Sequence, residues 1–237
     1  MQDARSLVDL HEGEREHVLD DEERVALLRY YGIKMLPFRR VGSAAEAVAA
    51  ASELGFPVAI KATAEQWQHR VDGAGVRLMV VTPQGARQAF ADLSRDCGRD
   101  EVYMQEMGPG ISCVVALLDD PLFGSLLSFG LSAMVSELLG DRAFRPLPLS
   151  TVDAAALIRG PRAAPLLSGY RGDPRARLDA LEDLVLRLNR LAQDLPEVRS
   201  LVLDPVLAGP DGAVVSGARI VVGAPPTSED AGPRRLQ

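Results

Sequence analysis

Short apolar runs bounded by turn residues alternate with segments of helical period along most of this chain, and that alternation restricts it to a mixed α/β fold. Asp20 and Asp21 are placed to cap a helix through Tyr31, which Gly32 ends. Ser43-Ala-Ala-Glu46 reads as a capping box: serine and glutamate each satisfy an orphan amide at the start of AEAVAAASEL, and Gly55 stops that helix. FPVAIKAT (56–63) and VRLMVV (76–81) read as strands. Thr82 caps a helix through about Arg95, and EVYMQEM (101–107) returns as a strand.

The second half opens with two runs apolar enough for central strands, ISCVVALL (111–118) and LLSFG (126–130). Leu178, Leu181, Leu184, Val185, Leu188, Leu191 and Leu195 recur at helical spacing and mark the longest helix. Their repeat ends before three heptads, which favours a core stripe over a coiled-coil seam. SLVLDPVLAG, an Asp211-Gly212 turn and AVVSGARIVV form a hairpin. Four segments follow from this pattern: a polar arm over 1–19, a first lobe over 20–103, a second over 104–222, and a Pro-, Gly- and charge-rich tail over 223–237 that reads as disordered.

Bulk properties exclude several classes. At 237 residues and 47% hydrophobic content, the chain is long enough for one large domain or two small lobes with a buried core. A net charge of −7 without a clustered basic face argues against nucleic acid as a partner, while leaving nucleotide binding open to a few local groups. No stretch approaches the ~20 apolar residues of a membrane span. The first residues, MQDARSLVDLHEGEREH, lack the basic start and apolar core of a secretory signal. With Cys97 and Cys113 read as reduced thiols, a cytoplasmic setting is expected.

Candidate chemistry begins at Lys61, which ends an apolar strand. Such a lysine either snorkels or pairs with an acid, or it offers its ammonium to a phosphate as a point charge on a flexible stem. The loop after it, AEQWQHRVDGAGVRL, sets His69 and Arg70 beside Asp72, with Gly73 and Gly75 allowing backbone amides close to an anion. This loop is expected to move more than the strands around it. Farther on, Glu137, Asp141 and Arg145 recur every four residues, yet Gly140 and two prolines argue against one continuous helix. Carboxylates beside an arginine suit a metal-bound phosphate.

Together these stretches resemble, over roughly residues 20–222, the ATP-grasp domain of NDP-forming acyl-CoA synthetases (acetate–CoA ligase, ADP-forming). The resemblance rests on Lys61, the loop His69-Arg-Val-Asp-Gly-Ala-Gly-Val76, Asp120-Pro-Leu-Phe-Gly124 and Phe129-Gly-Leu-Ser-Ala133. Glu137 with Asp141, Gly169-Tyr-Arg-Gly172, Leu203-Asp-Pro-Val206 and Ser216-Gly-Ala-Arg219 continue it in the family's order. The phrases around SELLGDRAFR and LDPVLAG are most similar to the synthetase-like part of bacterial protein acetyltransferases that carry a fused GNAT domain. The resemblance implies an α/β (α+β) ATP-grasp fold, two small lobes enclosing a nucleotide cleft, with Lys61 from the first facing Asp204 from the second. It implies ATP/ADP and Mg²⁺ as cofactors, His69 as a catalytic phosphate relay and Asp204 as metal ligand. Lys61, Arg70, Gly73, Gly75, Gln105, Glu137 and Arg145 are the implied nucleotide contacts.

This chain departs from the family pattern at four places. Ser112 stands where a glutamate is expected, Ser132-Ala133 replaces a double glycine, Asp204 replaces an asparagine, and Gly217 replaces a metal-binding aspartate. The expectation is that magnesium binding is weakened or lost, and that Gly217→Asp, in a strand interior, restores about 1–2 kcal/mol of magnesium-dependent ATP affinity. Neither a Rossmann-like glycine-rich start nor a second histidine-bearing domain occurs within the sequence, so acyl-CoA chemistry implies a separate CoA-binding ligase or GNAT acetyltransferase partner. Two readings remain open: an ATP-binding module working with such a partner, or a degenerate ATP-grasp fold kept as a non-catalytic regulatory or interaction module.

Overall fold

Capping side chains at Asp20 and Ser43 start a helix in each unit where the sequence placed them. In the computed structural model, which describes residues 2–9, 11, 16–63, 74–120, 122–170 and 174–224, helix α1 spans Gln2–Asp9, strand β1 His17–Val18 and helix α2 Asp21–Tyr30. Asp20 Oδ1 accepts from the amides of Glu22 and Glu23 at 2.9 Å each, and Glu23 Oε2 accepts from the Asp20 amide at 2.8 Å, closing a capping box. Strand β2 (Phe38–Val41) leads into α3 (Ala44–Leu54). Ser43 Oγ accepts from the Glu46 amide, but Glu46 reaches back to the amide of Gly42 at 2.9 Å rather than to that of Ser43.

The chain divides into two units, Met35–Pro109 and Met1–Lys34 with Gly110–Gln237. The smaller adds β3 (Val58–Ala62), β4 (Val76–Val80), α4 (Pro83–Cys97) and β5 (Val102–Glu106) to β2 and α3. Its four strands pair antiparallel in the order β2-β5-β3-β4. Ala86, Ala89, Phe90 and Leu93 recur on one side of α4, Ala47, Ala50 and Ala51 on one side of α3, and both stripes bury Val58, Ile60, Val102 and Met104 of the sheet. The period of two in β3 and β5 sends the alternate residues, Ala59, Lys61, Tyr103 and Gln105, to the opposite face.

The larger unit contains β6 (Ile111–Asp120), β7 (Gly124–Leu131), α5 (Ala133–Leu139), β8 (Ala143–Pro146), α6 (Thr151–Arg159) and a 3₁₀ turn at Ala164–Ser168. Helix α7 (Leu178–Asp194), β9 (Val198–Gly209), β10 (Gly212–Val215) and β11 (Ala218–Val222) complete it. Its seven strands run β1-β11-β9-β6-β7-β8, with β10 also on β9, and every pair is antiparallel. The leucine stripe of α7 is core, as its period implied: Leu181, Leu184, Val185, Leu188 and Leu191 are all buried.

The structure also differs from the sequence reading in its boundaries, its first residues and its last turn. Residues 20–34 belong with the larger unit, since Leu19 donates its amide to Ile220 and Val215 donates to the carbonyl of Lys34. A division at 103/104 would also cut β5, which lies between β2 and β3. The polar arm contains a helix: Ala4 and Val8, one turn apart, are buried, and Arg5 donates to the Asp194 carbonyl and to Glu197. The turn of the last hairpin is Pro210-Asp211 rather than Asp211-Gly212, because Gly209 and Gly212 are already a paired position. The tail from 225 onward lies outside the described residues.

Leu93 is fully buried on the inner side of α4, whereas Leu78 on β4 is 60% exposed. Leu93→Ala should therefore cost about 2–5 kcal/mol, and Leu78→Ala no more than about 0.5 kcal/mol, read from urea unfolding followed by circular dichroism.

Candidate functional site

Lys61 sits on β3 opposite Tyr103, and its Nζ donates to Gln105 Oε1 at 2.7 Å. Because an ammonium has only donors, it fixes the oxygen end of the Gln105 amide toward itself. The amide nitrogen of Gln105 then donates to the Leu36 carbonyl at 3.4 Å. Gln105 is only 2% exposed, so these bonds offset what would otherwise be a costly buried amide. In this contact the partner of Lys61 is a neutral, buried side chain that fixes the direction of the ammonium.

The same sheet face carries residues that the sequence reading passed over. Arg40 of β2 donates to Tyr103 Oη at 2.9 Å and lies over its ring at 5.3 Å, a cation–π arrangement. Phe38 meets the Tyr103 ring edge-on at 5.7 Å. Alternation in VYMQE, with Val102 and Met104 facing the helices, was the signal that pairs Tyr103 with Gln105. Gly75, expected near a phosphate, is buried, and its carbonyl accepts the Ala62 amide at 2.8 Å, extending the β3–β4 ladder. His69, Arg70 and Gly73, and the mobility expected of their loop, lie outside the described residues.

Asp204 and Gly217 meet in the larger unit where β9 changes partner. Asp204 donates its amide to the Gly217 carbonyl at 2.9 Å, and Ser216 donates to the Pro205 carbonyl at 2.8 Å. Gly217 lies in the bend between β10 and β11, not in a strand interior. A Cβ built on Gly217 would overlap the backbone carbonyl oxygen of Asp204. Gly217→Asp is therefore blocked by close approach of backbone, so the expected rescue of a metal ligand does not hold on this backbone. Asp204 itself is half-buried.

Glu137, Asp141 and Arg145 do not come together. Helix α5 ends at Leu139 with Gly140 in the left-handed region, as Gly140 and the prolines indicated. The Glu137 side chain is 73% exposed and lies 3.9 Å from Arg142, a screened pair of little worth. Asp141 accepts the amides of Arg162 at 2.7 Å and Ala163 at 2.9 Å, and those bonds hold its carboxyl below the usual carboxylate range. It latches the turn before the 3₁₀ helix. Arg145 lies on β8 opposite Leu127 and donates to the Phe144 carbonyl. In the DPLFG stretch, Asp120 Oδ1 accepts from Leu122 and Phe123, which makes it a hairpin turn; Pro121 is not described. Of Gly169-Tyr-Arg-Gly172, Arg171 and Gly172 are outside the described residues.

Ser132 occupies the first position of the replaced double glycine with φ +51°, a conformation that favours glycine. Its amide donates to the Ser112 carbonyl at 2.7 Å, tying together two of the four departures.

Residues 11–222 match the ATP-grasp domain family, and the chain belongs to that family. Within it, the chain shows strong homology to the β subunit of ADP-forming acetate–CoA ligases. It is 30% identical over 227 residues to the β subunit of Pyrococcus furiosus acetate–CoA ligase (ADP-forming) I, covering 92% of this chain and 97% of that subunit. Acetate–CoA ligase (ADP-forming) II of Archaeoglobus fulgidus is 36% identical over 207 residues, 87% of this chain but 30% of that longer protein. Among solved structures, the dinucleotide-forming acetyl-coenzyme A synthetase 1 of Ca. Korarchaeum cryptofilum, in complex with coenzyme A, Ca-AMPCP and HgCl+, superposes with a TM-score of 0.79. It is 31% identical and covers 92% of this chain and 99% of that one.

Two substitutions separate backbone constraint from site chemistry. Gly217→Ala should destabilise the larger unit by about 1–3 kcal/mol through overpacking. Ser132→Gly should stabilise it by about 1 kcal/mol by removing the side chain from a disfavoured φ. Urea midpoints of the two variants beside the parent chain give both values.

Proposed function

We propose that this chain is an ATP-binding module that acts in acyl-CoA or acyl-phosphate metabolism together with a CoA-binding ligase or GNAT acetyltransferase partner. The observation that carries the reading is the Lys61–Gln105 pair, a lysine ammonium held at 2.7 Å by a buried amide on the face of its sheet turned from the helices. Such a positioned point charge suits a phosphate, and Gln105 spares the lysine part of the ordering entropy of reaching it. Kinship supports the partner: the Pyrococcus furiosus relative is named as a subunit, and the Korarchaeum synthetase has also been solved with coenzyme A and Mg-AMPPCP. A cytoplasmic setting fits two cysteines that form no disulfide, Cys113 being a buried thiol pushed up to about 12 by desolvation.

In this reading Lys61 holds phosphate, with Gln105 orienting it; Arg70, Gly73, Gly75, Glu137 and Arg145 remain the proposed nucleotide contacts, and His69 the proposed relay. Asp204 is the carboxylate suited to Mg²⁺, a hard cation that takes oxygen donors. Bound Mg-ATP would supply an activated phosphoryl group. The fit for the metal is partial, because the position that would offer a second carboxylate, Gly217, is closed by the Asp204 carbonyl. That single observation favours the second reading, a degenerate ATP-grasp module with regulatory or interaction duties and no turnover.

Calorimetry with ATP and ADP, with and without magnesium, tests both. A nucleotide-binding module gives a measurable affinity that depends weakly on magnesium. Lys61→Met should lower it about 10- to 100-fold, the scale of one charge-assisted hydrogen bond. A folded chain that binds neither nucleotide leaves the degenerate module as the standing reading.

A further inference from the structure

Two of the three histidines in the chain, His11 and His17, converge on Glu23, far in sequence from every residue of the nucleotide reading. His11 Nε2 donates to Glu23 Oε1 at 2.8 Å, and His17 Nε2 lies 3.5 Å from Glu23 Oε2. The two imidazoles stack almost parallel, with centroids 3.6 Å apart and planes at 12°. One ligand atom from each residue lies within 4.8 Å of the others, the one such grouping among the described residues. The side chains are partly shielded, at 12% exposure for His11, 31% for His17 and 21% for Glu23.

We propose that His11, His17 and Glu23 form a binding site for a zinc-class divalent transition-metal ion. Imidazole nitrogen with one carboxylate oxygen is the donor set such ions favour, whereas magnesium and calcium prefer oxygen alone. In a tetrahedral zinc centre with bonds of about 2.0–2.2 Å, neighbouring ligand atoms stand about 3.3–3.5 Å apart. The 2.8 and 3.5 Å separations, each to a different Glu23 oxygen, lie near that spacing, and metal entry requires the two stacked rings to turn so that both nitrogens face one point. Three protein ligands leave a fourth position for water.

Each ligand is held by its own backbone element. His11 follows α1, where its amide donates to the Val8 carbonyl at 3.0 Å. His17 lies in β1 and pairs with Val222 of β11. Glu23 is aimed by the capping box, whose Asp20 amide engages Oε2 at 2.8 Å and leaves Oε1 to His11. Supporting bonds of this kind orient the ligands before metal arrives. The carboxyl of Glu23 also lies below its usual range: burial pushes it up, and the Asp20 amide and His11 ring together outweigh that. An ionised carboxylate is the form a cation requires, and the metal replaces the His11 N–H proton now facing Oε1. Bound metal would cross-link the segment after α1, strand β1 and the start of α2.

A tag-free full-length chain, stripped with chelator and free of nucleotide, is titrated calorimetrically with zinc chloride; cobalt(II) serves as a visible-absorption probe. The expected result is one equivalent of zinc, a four-coordinate cobalt spectrum, and a rise in melting temperature on zinc addition. His11→Gln and His17→Gln should each weaken zinc at least ~10-fold and abolish the cobalt spectrum, with the fold checked by circular dichroism. His69→Gln should change none of these. A folded parent chain that binds no zinc overturns the site. So does binding that survives in His17→Gln, the most exposed ligand and the mildest change, or binding that disappears in His69→Gln.

Discussion

Strand β9 holds the larger unit together, and it does so by serving two partners along one edge. Its first half pairs with β11, from Ser200–Val221 to Leu203–Ala218, and its second with β10, from Val206–Val215 to Gly209–Gly212, while β6 runs along its other edge. Between the halves, Asp204 and Pro205 stand against Ser216 and Gly217, and two backbone hydrogen bonds carry the pairing across the break. Proline has no amide to give and glycine no side chain to lose, so the two tolerate the exchange where other residues would not. The same close approach that lets β9 serve both strands removes the space in which a residue at 217 would present a carboxylate. Sheet continuity and the lack of room for a side chain at 217 therefore have one cause.

In the smaller unit the governing constraint is the period of two. Each strand gives one set of side chains to α3 and α4 and the other set to the opposite face, so a hydrophobic core and a polar constellation are built from the same five-residue strands. Val58, Ile60, Val102 and Met104 secure the fold. Lys61, Gln105, Tyr103 and Arg40 are arranged by it. A buried glutamine is costly when left unpaired, and the lysine beside it removes that cost while gaining a fixed direction. Stability and site geometry are coupled through this pair.

Several carboxylates of this chain close turns and cap helices. Asp120 accepts two amides in a hairpin turn, Asp141 two amides before the 3₁₀ helix, and Glu23 one amide at the start of α2. Short acidic side chains beside glycine or proline serve both purposes, because a backbone amide and a cation ask for the same oxygen lone pairs. Spacing cannot separate the two uses. Glu137, Asp141 and Arg145 were evenly spaced in sequence, and the end of α5 at Leu139 sends them to three different partners.

The sequence by itself determined the elements and the family. Caps at Asp20, Ser43 and Thr82, the α7 leucine stripe and the strand periods are local rules, each satisfied by residues a few positions apart, and they survive in any fold that contains them. Lys61 was legible for the same reason, as a charge at the end of an apolar strand. Only the tertiary structure decided its partner, because Gln105 lies 44 residues away and reaches Lys61 through strand register. Tertiary structure also decided that Gly217 has no room for a side chain and that His11, His17 and Glu23 share one small volume. These depend on which backbones approach which, and that is set by pairing between distant segments whose register no local pattern encodes.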